Sequence, residues 1–168
     1  MSTAAAALLA ELEQEALATR RVLERVPPDK LAWKPHPKSM SLGQLAGHVA
    51  GIPGFISRMA AQDGHDAATS HQQPGQPRST AEILDRLSAS LAEARSVFGA
   101  LREDQLSTPW RLSFGDREVF TIPRIGVLRT MLLNHWYHHR GQLTVYLRLL
   151  DVPVPAVYGR SADEATFD

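Results

Sequence analysis

The sequence predicts an all-α protein, an up-down four-helix bundle that forms one domain over residues 1–168, with a short β-hairpin between helices three and four. Four long stretches each carry a single apolar stripe with the three- and four-residue spacing of a helix face, and such helices bury their stripes against one another. The chain has 168 residues and is 43% hydrophobic, which is enough for a core without disulfides. No repeat or interdomain linker interrupts it.

The first two helices are delimited by prolines and by a capping motif. Helix one is predicted over residues 3–26, because the proline pair 27–28 cannot continue a helix. Helix two is predicted to begin at Ser41, which has the capping-box spacing with Gln44.

Helices three and four are separated by a stretch with strand-like alternation. Ser79 and Glu82 have the spacing of a second capping box, which predicts helix three over residues 79–101. Residues 108–122 alternate around a Gly-Asp turn signal and predict the hairpin. Helix four is predicted from Pro123, a good first-turn residue. The polar segment 63–78 is predicted to be a long loop that closes over a substrate.

Composition excludes several classes of function. The 18 Lys and Arg residues balance the 18 Asp and Glu residues, whereas a protein that coats nucleic acid is distinctly basic. No segment is apolar enough to span a membrane, and the Ala/Leu-rich start lacks the basic region of a signal peptide. We therefore expect a cytoplasmic protein without nucleic-acid or membrane partners. With no cysteine, any transition metal must bind imidazole and oxygen ligands.

Two histidines occupy core positions in the apolar stripe of helix four. His135 and His139 are four residues apart and share one face, the spacing at which two imidazoles can chelate one ion. A single inward histidine is more often a core residue satisfied by a hydrogen bond. His138 lies one position off the stripe and is the alternative to His139 as a ligand.

Helix two supplies a third inward histidine. His48 lies beside the apolar stripe of that helix, and burying it without a partner is costly. Pro53, inside the same helix, frees the carbonyl of Val49 and is expected to kink the helix there. Shared coordination of one ion satisfies all three imidazoles, so we predict one divalent transition metal per chain on His48, His135 and His139. The remaining histidines, His36, His65 and His71, are predicted to be ordinary surface residues.

Several segments together resemble one family. Residues 39–48 (SMSLGQLAGH) resemble the second-helix motif of the DinB-like (damage-inducible) superfamily, and residues 134–148 (NHWYHHRGQLTVYLR) resemble its fourth-helix motif. Residues 158–164 (YGRSADE) are similar to its C-terminal signature, and residues 33–35 (WKP) to the approach to helix two.

The resemblance implies a four-helix bundle with a three-histidine divalent metal site, with nickel or zinc as the usual ion. It also implies a kinship with thiol S-transferases that use bacillithiol or mycothiol, and with a mycothiol-dependent maleylpyruvate isomerase. Many members have no established activity, and homodimers are common among them, so we expect a homodimer.

Three functions follow from an open three-histidine site. A small-molecule thiol could attack an electrophile, which makes the protein a thiol S-transferase. Metal-activated water could attack an ester or amide, which makes it a hydrolase. The third alternative is a non-catalytic, metal-binding stress-response protein. No carboxylate lies on the inner stripe beside the histidines, which weakens the hydrolase reading.

Four further residues are candidates for the site. Gln142 and Tyr146 follow His139 on helix four and are the candidate catalytic residues, although Tyr146 could equally be packed in the core. Trp33 could wall a cofactor pocket, or pack under a loop. Arg140 could bind the carboxylate of a thiol cofactor, although a solvent-facing arginine is the simpler expectation.

Overall fold

The computed structural model describes residues 3–69 and 75–165, which form a mostly helical protein with a small sheet. The helices are α1 (Thr3–Glu24), α2 (Leu42–Ala61), α3 (Thr80–Ala100), α4 (Glu103–Leu106), α5 (Arg124–Val127) and α6 (His135–Leu149). A π-helical segment, Leu128–Asn134, joins α5 to α6. The strands are β1 (Gly64–Asp66), β2 (Pro109–Phe114) and β3 (Arg117–Pro123).

Of the long helices that follow one another in the described chain, α2 and α3 pack side by side, whereas α1 packs mainly against α3 and α6 rather than against α2. Helices α1 and α2 each pack against both α3 and α6. The segments from α1 to α2 and from α3 to α5 therefore cross the end of the helical core, whereas consecutive helices in the predicted up-down bundle would lie side by side. The connections, residues 25–41 and 101–123, are long enough to make these crossings.

The described residues form a three-stranded sheet rather than the hairpin alone, so the all-α prediction was too simple. Strands β2 and β3 pair antiparallel across a turn in which Gly115 has a φ of 58°, a conformation that favours glycine. Strand β1 pairs parallel with β2, and it lies in the 63–78 segment that was predicted to be a loop. A Cβ on Gly64 would lie 2.6 Å from the carbonyl oxygen of Arg111, so this pairing needs glycine. Three residues are too few to show an alternating pattern. Residues 70–74 lie outside the described part of that segment.

The two predicted capping motifs have different outcomes. At α2 the capping box is complete, because the Gln44 N–H donates to Ser41 Oγ at 3.1 Å and the Ser41 N–H donates to Gln44 Oε1 at 2.8 Å. At α3 the Glu82 N–H donates to Ser79 Oγ at 3.1 Å, but the Glu82 carboxylate accepts from the N–H of Arg78. Both helices therefore begin one residue after the predicted serine.

The core lies between the long helices and includes Trp110, Trp136 and Phe98, all fully buried. Where α2 meets α3, the Gly54 N–H donates to Ser90 Oγ at 2.7 Å, and a Cβ on Gly54 would lie 3.0 Å from the Ser90 backbone. This close approach sets the floor of a groove between the two helices. Within the described residues, no helix is both long and apolar enough to cross a bilayer.

Candidate metal centre

Three histidines from α2 and α6 meet at one point. The Nε2 atoms of His48 and His135 are 3.3 Å apart, and one ligand atom from each of His48, His135 and His139 lies within 4.8 Å of the other two. The ring centroids are 4.5 to 5.2 Å apart. The predicted set of three ligands is therefore brought together, and its atoms are close enough to bind one metal ion.

A change of helix type orients His135. The backbone N–H of His135 donates to the carbonyl of Thr130, five residues earlier, which is the π-helical pattern. Its side-chain Nδ1–H donates to the carbonyl oxygen of Met131 at 3.1 Å. Because a carbonyl oxygen only accepts, the proton sits on Nδ1 and the lone pair of Nε2 faces the other two histidines.

Gln142 orients His139 in the same way. The Nδ1–H of His139 donates to Gln142 Oε1 at 2.7 Å. The Nε2 atom of His139 is thereby left unprotonated on the side of the other ligands. Gln142 itself is exposed, and its side-chain oxygen contacts the ring of His139.

The electrostatics favour neutral imidazoles. Burial is the main cause that lowers the pKa of His48 to about 4, and the neighbouring His139, His135 and Arg86 lower it further. Burial likewise lowers the pKa of His135 and of His139. Neutral imidazoles with converging lone pairs suit a divalent transition-metal ion, so the chemistry of the three donors fits a metal site.

The helices that carry the ligands are joined directly beside them. Pro53 has no N–H to offer the carbonyl of Val49, and the indole Nε1–H of Trp136 donates to this carbonyl at 2.8 Å. Val49 follows His48 in the sequence, and Trp136 follows His135. One buried hydrogen bond therefore sets the distance between the two helices at the site.

The histidines lie at the edge of the core rather than inside it. The fully covered side chains of α6 are Trp136, Arg140, Leu143 and Leu147, whereas His135 and His139 are half-buried. The π-helical segment before α6 shifts the helix register, and the prediction placed both histidines one position too deep. Their exposed edge opens onto a groove.

The groove has a volume of about 730 Å³ and runs between α2 and α3. His48 and His135 lie on its wall, together with Gln44, Phe55 and Arg86. Glu93 of α3, a carboxylate outside the helix-four stripe, also lines the groove, but it is ion-paired with Arg58. The groove thus gives a small molecule access to two of the three histidines.

Tyr146 and Trp33 contact each other beside the groove, near the start of α2. Their rings contact edge to face, with centroids 5.7 Å apart, and the Tyr146 hydroxyl donates to the carbonyl of Met40 at 3.4 Å. Met40 lines the groove. These two aromatic side chains therefore support the wall of the groove, and the described contacts of both are with this wall rather than with the histidines.

Arg140 lies elsewhere, and the expectation that it faces solvent was wrong. It is 2% exposed and forms an ion pair with Glu15 at 2.6 Å. It also donates to Thr19 Oγ1 and to the hydroxyl of Tyr158, which tie α6 to α1 and to the C-terminal segment. Because its charge is already paired in the core, the structure does not bring Arg140 to the candidate site.

The other histidines in the described part of the chain lie outside the cluster. His138 is exposed, and its ring contacts the ring of His139, with centroids 4.9 Å apart. His36 is exposed, whereas His65 is half-buried in β1 beside the ring of Phe55. His71 lies outside the described residues.

Two residues of the site were missed from the sequence. Trp136 lies next to a predicted ligand, and the carbonyl freed by Pro53 was the indication that a donor was needed nearby. Arg86 lies against Gly47 and Gly51 of α2. Glycines at this four-residue spacing mark a helix face that another group approaches closely, and that pattern was present in the sequence.

Comparisons with known proteins agree with the fold. The chain is 26% identical over 159 residues to an uncharacterized protein, YrdA, of Bacillus subtilis, which covers 90% of this chain and 86% of that protein. The fold is similar to a DinB-like protein of Bacillus cereus, with a TM-score of 0.69, 24% identity, and 90% and 95% of the two chains covered. A DinB-like protein of Bacillus subtilis superposes with a TM-score of 0.70 at 17% identity, covering 91% and 99%. The model of the DinB family matches residues 1–166, and the chain belongs to the DinB family.

Proposed function

We propose that this chain is a metal-dependent thiol S-transferase that holds nickel or zinc on His48, His135 and His139. The observation that carries the proposal is the convergence of three imidazoles, kept neutral by burial, at the wall of a groove. A divalent ion held by three neutral imidazoles would keep its full charge, and it would lower the pKa of a thiol or a water bound to it. The chain's own residues position that chemistry.

A small-molecule thiol is favoured as the nucleophile because the chain has no cysteine and because Glu93, the carboxylate in the groove, is ion-paired with Arg58. The sequence has no cysteine, so the sulfur must come from a bound thiol. Within the described residues, none of the three histidines donates a hydrogen bond to a carboxylate or forms an ion pair with one, and Glu93 in the groove is ion-paired with Arg58. Water attack usually needs a free carboxylate as a general base. Thiol transfer does not, because the thiol proton can pass to solvent.

The reaction we propose is a substitution or addition at carbon. The thiol loses its proton to solvent, and its sulfur forms a bond to the electrophilic carbon. A leaving group departs with the bonding pair, or an unsaturated acceptor takes a proton in its place. Gln142 keeps the ring of His139 in place, and Tyr146 with Trp33 supports the wall that orients the thiol.

The test uses protein purified without a nickel column. Elemental analysis should find about one nickel or zinc ion per chain. After replacement by cobalt, low-molecular-weight thiols should add a sulfur-to-metal charge-transfer band, and a generic electrophile should be consumed only with both thiol and metal present. Metal-dependent ester cleavage without any thiol effect would favour the hydrolase. Metal binding with neither activity would favour the non-catalytic protein.

A further inference from the structure

Arg86 is a half-buried cation in the groove with no hydrogen-bond or ion-pair partner among the described residues. It lies on α3 and lines the same groove as His48 and His135. Among the residues that the structure describes, none donates to it, accepts from it or forms an ion pair with it. The other arginine of this groove, Arg58, is paired with Glu93. A partly desolvated guanidinium that lacks an acceptor is costly unless a ligand supplies one.

Two glycines hold this guanidinium close to the metal ligands. A Cβ on Gly51 would lie 2.9 Å from both Nε and Nη2 of Arg86, and a Cβ on Gly47 would lie 3.7 Å from its Nη1. Gly47 immediately precedes His48, and Gly51 follows it by three residues, or about 4.5 Å of helix rise. The cation is therefore about one helical turn from the site of the metal.

The remainder of the groove is largely apolar. Ile52, Phe55 and Ile56 line it on α2, and Phe55 is 46% exposed. A ligand that fits this surface has a metal-binding atom, an anionic group a few bonds away, and an apolar part. Planar, bidentate recognition of a carboxylate is the chemistry for which a guanidinium is best suited.

We propose that Arg86 is a specificity-determining residue that binds the carboxylate of the thiol or co-substrate in the groove. This inference rests on the proposed function, and it adds the chemical class of the ligand: a small carboxylate whose metal-binding atom reaches the three histidines.

The test compares ligands that differ only in charge. Cobalt-loaded protein is titrated with mercaptopropionate and with the uncharged mercaptopropanol, and the charge-transfer band gives the two dissociation constants. A second pair, succinate monohydroxamate and butyrohydroxamate, needs a metal but no thiol chemistry. We expect the carboxylate member of each pair to bind about tenfold or more tightly, the range of a charge-assisted hydrogen bond.

Variants assign the preference to Arg86. R86Q should bring both ratios to about one without weakening the uncharged ligands, and R86K should retain part of the preference. R95Q is the matched control, because Arg95 lies on α3 but is paired with Glu13 of α1. A wild-type ratio near one, or a preference that survives in folded, cobalt-loaded R86Q, would overturn the inference.

The two proposals fail in different ways. If the hydroxamates bind and no thiol perturbs the cobalt spectrum, the transferase function is wrong, and the hydroxamate ratio still decides the role of Arg86. If the thiols bind without regard to charge, the function stands and the assignment of Arg86 is wrong. A protein that takes up no cobalt would overturn both.

Discussion

The indole Nε1 of Trp136 donates a 2.8 Å hydrogen bond to the carbonyl oxygen of Val49, the group that Pro53 leaves without its helical donor. Each residue of this pair directly follows a candidate metal ligand in the sequence. A proline that would weaken α2 on its own is thus compensated by a side chain of α6. The compensation brings the ligand-bearing parts of the two helices together.

Trp136→Phe should lower both stability and metal affinity. The variant keeps most of the buried ring but leaves the Val49 carbonyl without a donor, which costs about 1–3 kcal/mol. Urea unfolding in the presence of a chelator measures the first effect, and a cobalt titration measures the second. Trp110→Phe is the control, because Trp110 is also fully buried and donates to the Met59 carbonyl at 3.3 Å, without a contact to the histidines. Equal cobalt affinity in the two variants would contradict a role for Trp136 in the site.

Replacing any one of the three ligands should remove most of the bound metal. His48→Ala, His135→Ala and His139→Ala each leave two imidazoles, whereas His138→Ala leaves all three because His138 is exposed and outside the cluster. Elemental analysis after dialysis against a weak chelator measures the metal content. Metal loss in His138→Ala with retention in His139→Ala would show that the ligand on α6 has been misassigned.

Gln142→Leu should weaken metal binding without abolishing it. Gln142 Oε1 accepts from His139 Nδ1 at 2.7 Å and so keeps Nε2 as the ligand atom. Loss of such a supporting hydrogen bond typically costs about 10- to 100-fold in metal affinity. Gln142→Glu keeps an acceptor at the same place and should retain most of the affinity. A competition titration with a metal indicator measures the metal affinity of both variants. A Gln142→Leu affinity equal to that of the unchanged protein would exclude a positioning role for Gln142.

Metal should stabilise the fold without being required for it. The buried apolar side chains of all the long helices extend well beyond the histidines, so a core forms without the ion. Binding to the folded state alone adds roughly 2.7 kcal/mol at a free metal concentration one hundred times the dissociation constant. Thermal melts followed by circular dichroism, with chelator and with added zinc, measure the shift. A chelated sample without a cooperative transition would refute this expectation.

The metal-free protein should lose stability as the pH falls from about 6.5 to about 4. The pKa of His48 is lowered from 6.5 to about 4 by burial, so the unfolded state binds a proton in this range that the folded state does not. Stability therefore rises with pH across the window and is lost on acidification. His48→Gln should show a shallower dependence in chelator-treated melts at a series of pH values. An unchanged slope in that variant would assign the acid sensitivity to carboxylates elsewhere.

The choice of His48, His135 and His139 as candidate metal ligands came from the sequence alone. Histidine spacing on one helix face, together with a third histidine on another apolar helix, is local information, because helix periodicity fixes which side chains share a face. The serine caps at α2 and α3 could also be predicted from local sequence, because a cap bonds to a residue within three positions of itself.

Only the tertiary structure decided what surrounds those ligands. Packing between segments far apart in the chain determines three features. These are the π-helical segment before His135, the choice of which helices pack against which, and the three-residue strand β1. The same is true of Arg86 and Arg140. Both are arginines on helices, yet Arg86 lies against two glycines beside the site, whereas Arg140 forms an ion pair with Glu15 in the core. Helical periodicity specifies a face, but the partner of that face is a non-local contact that it does not encode.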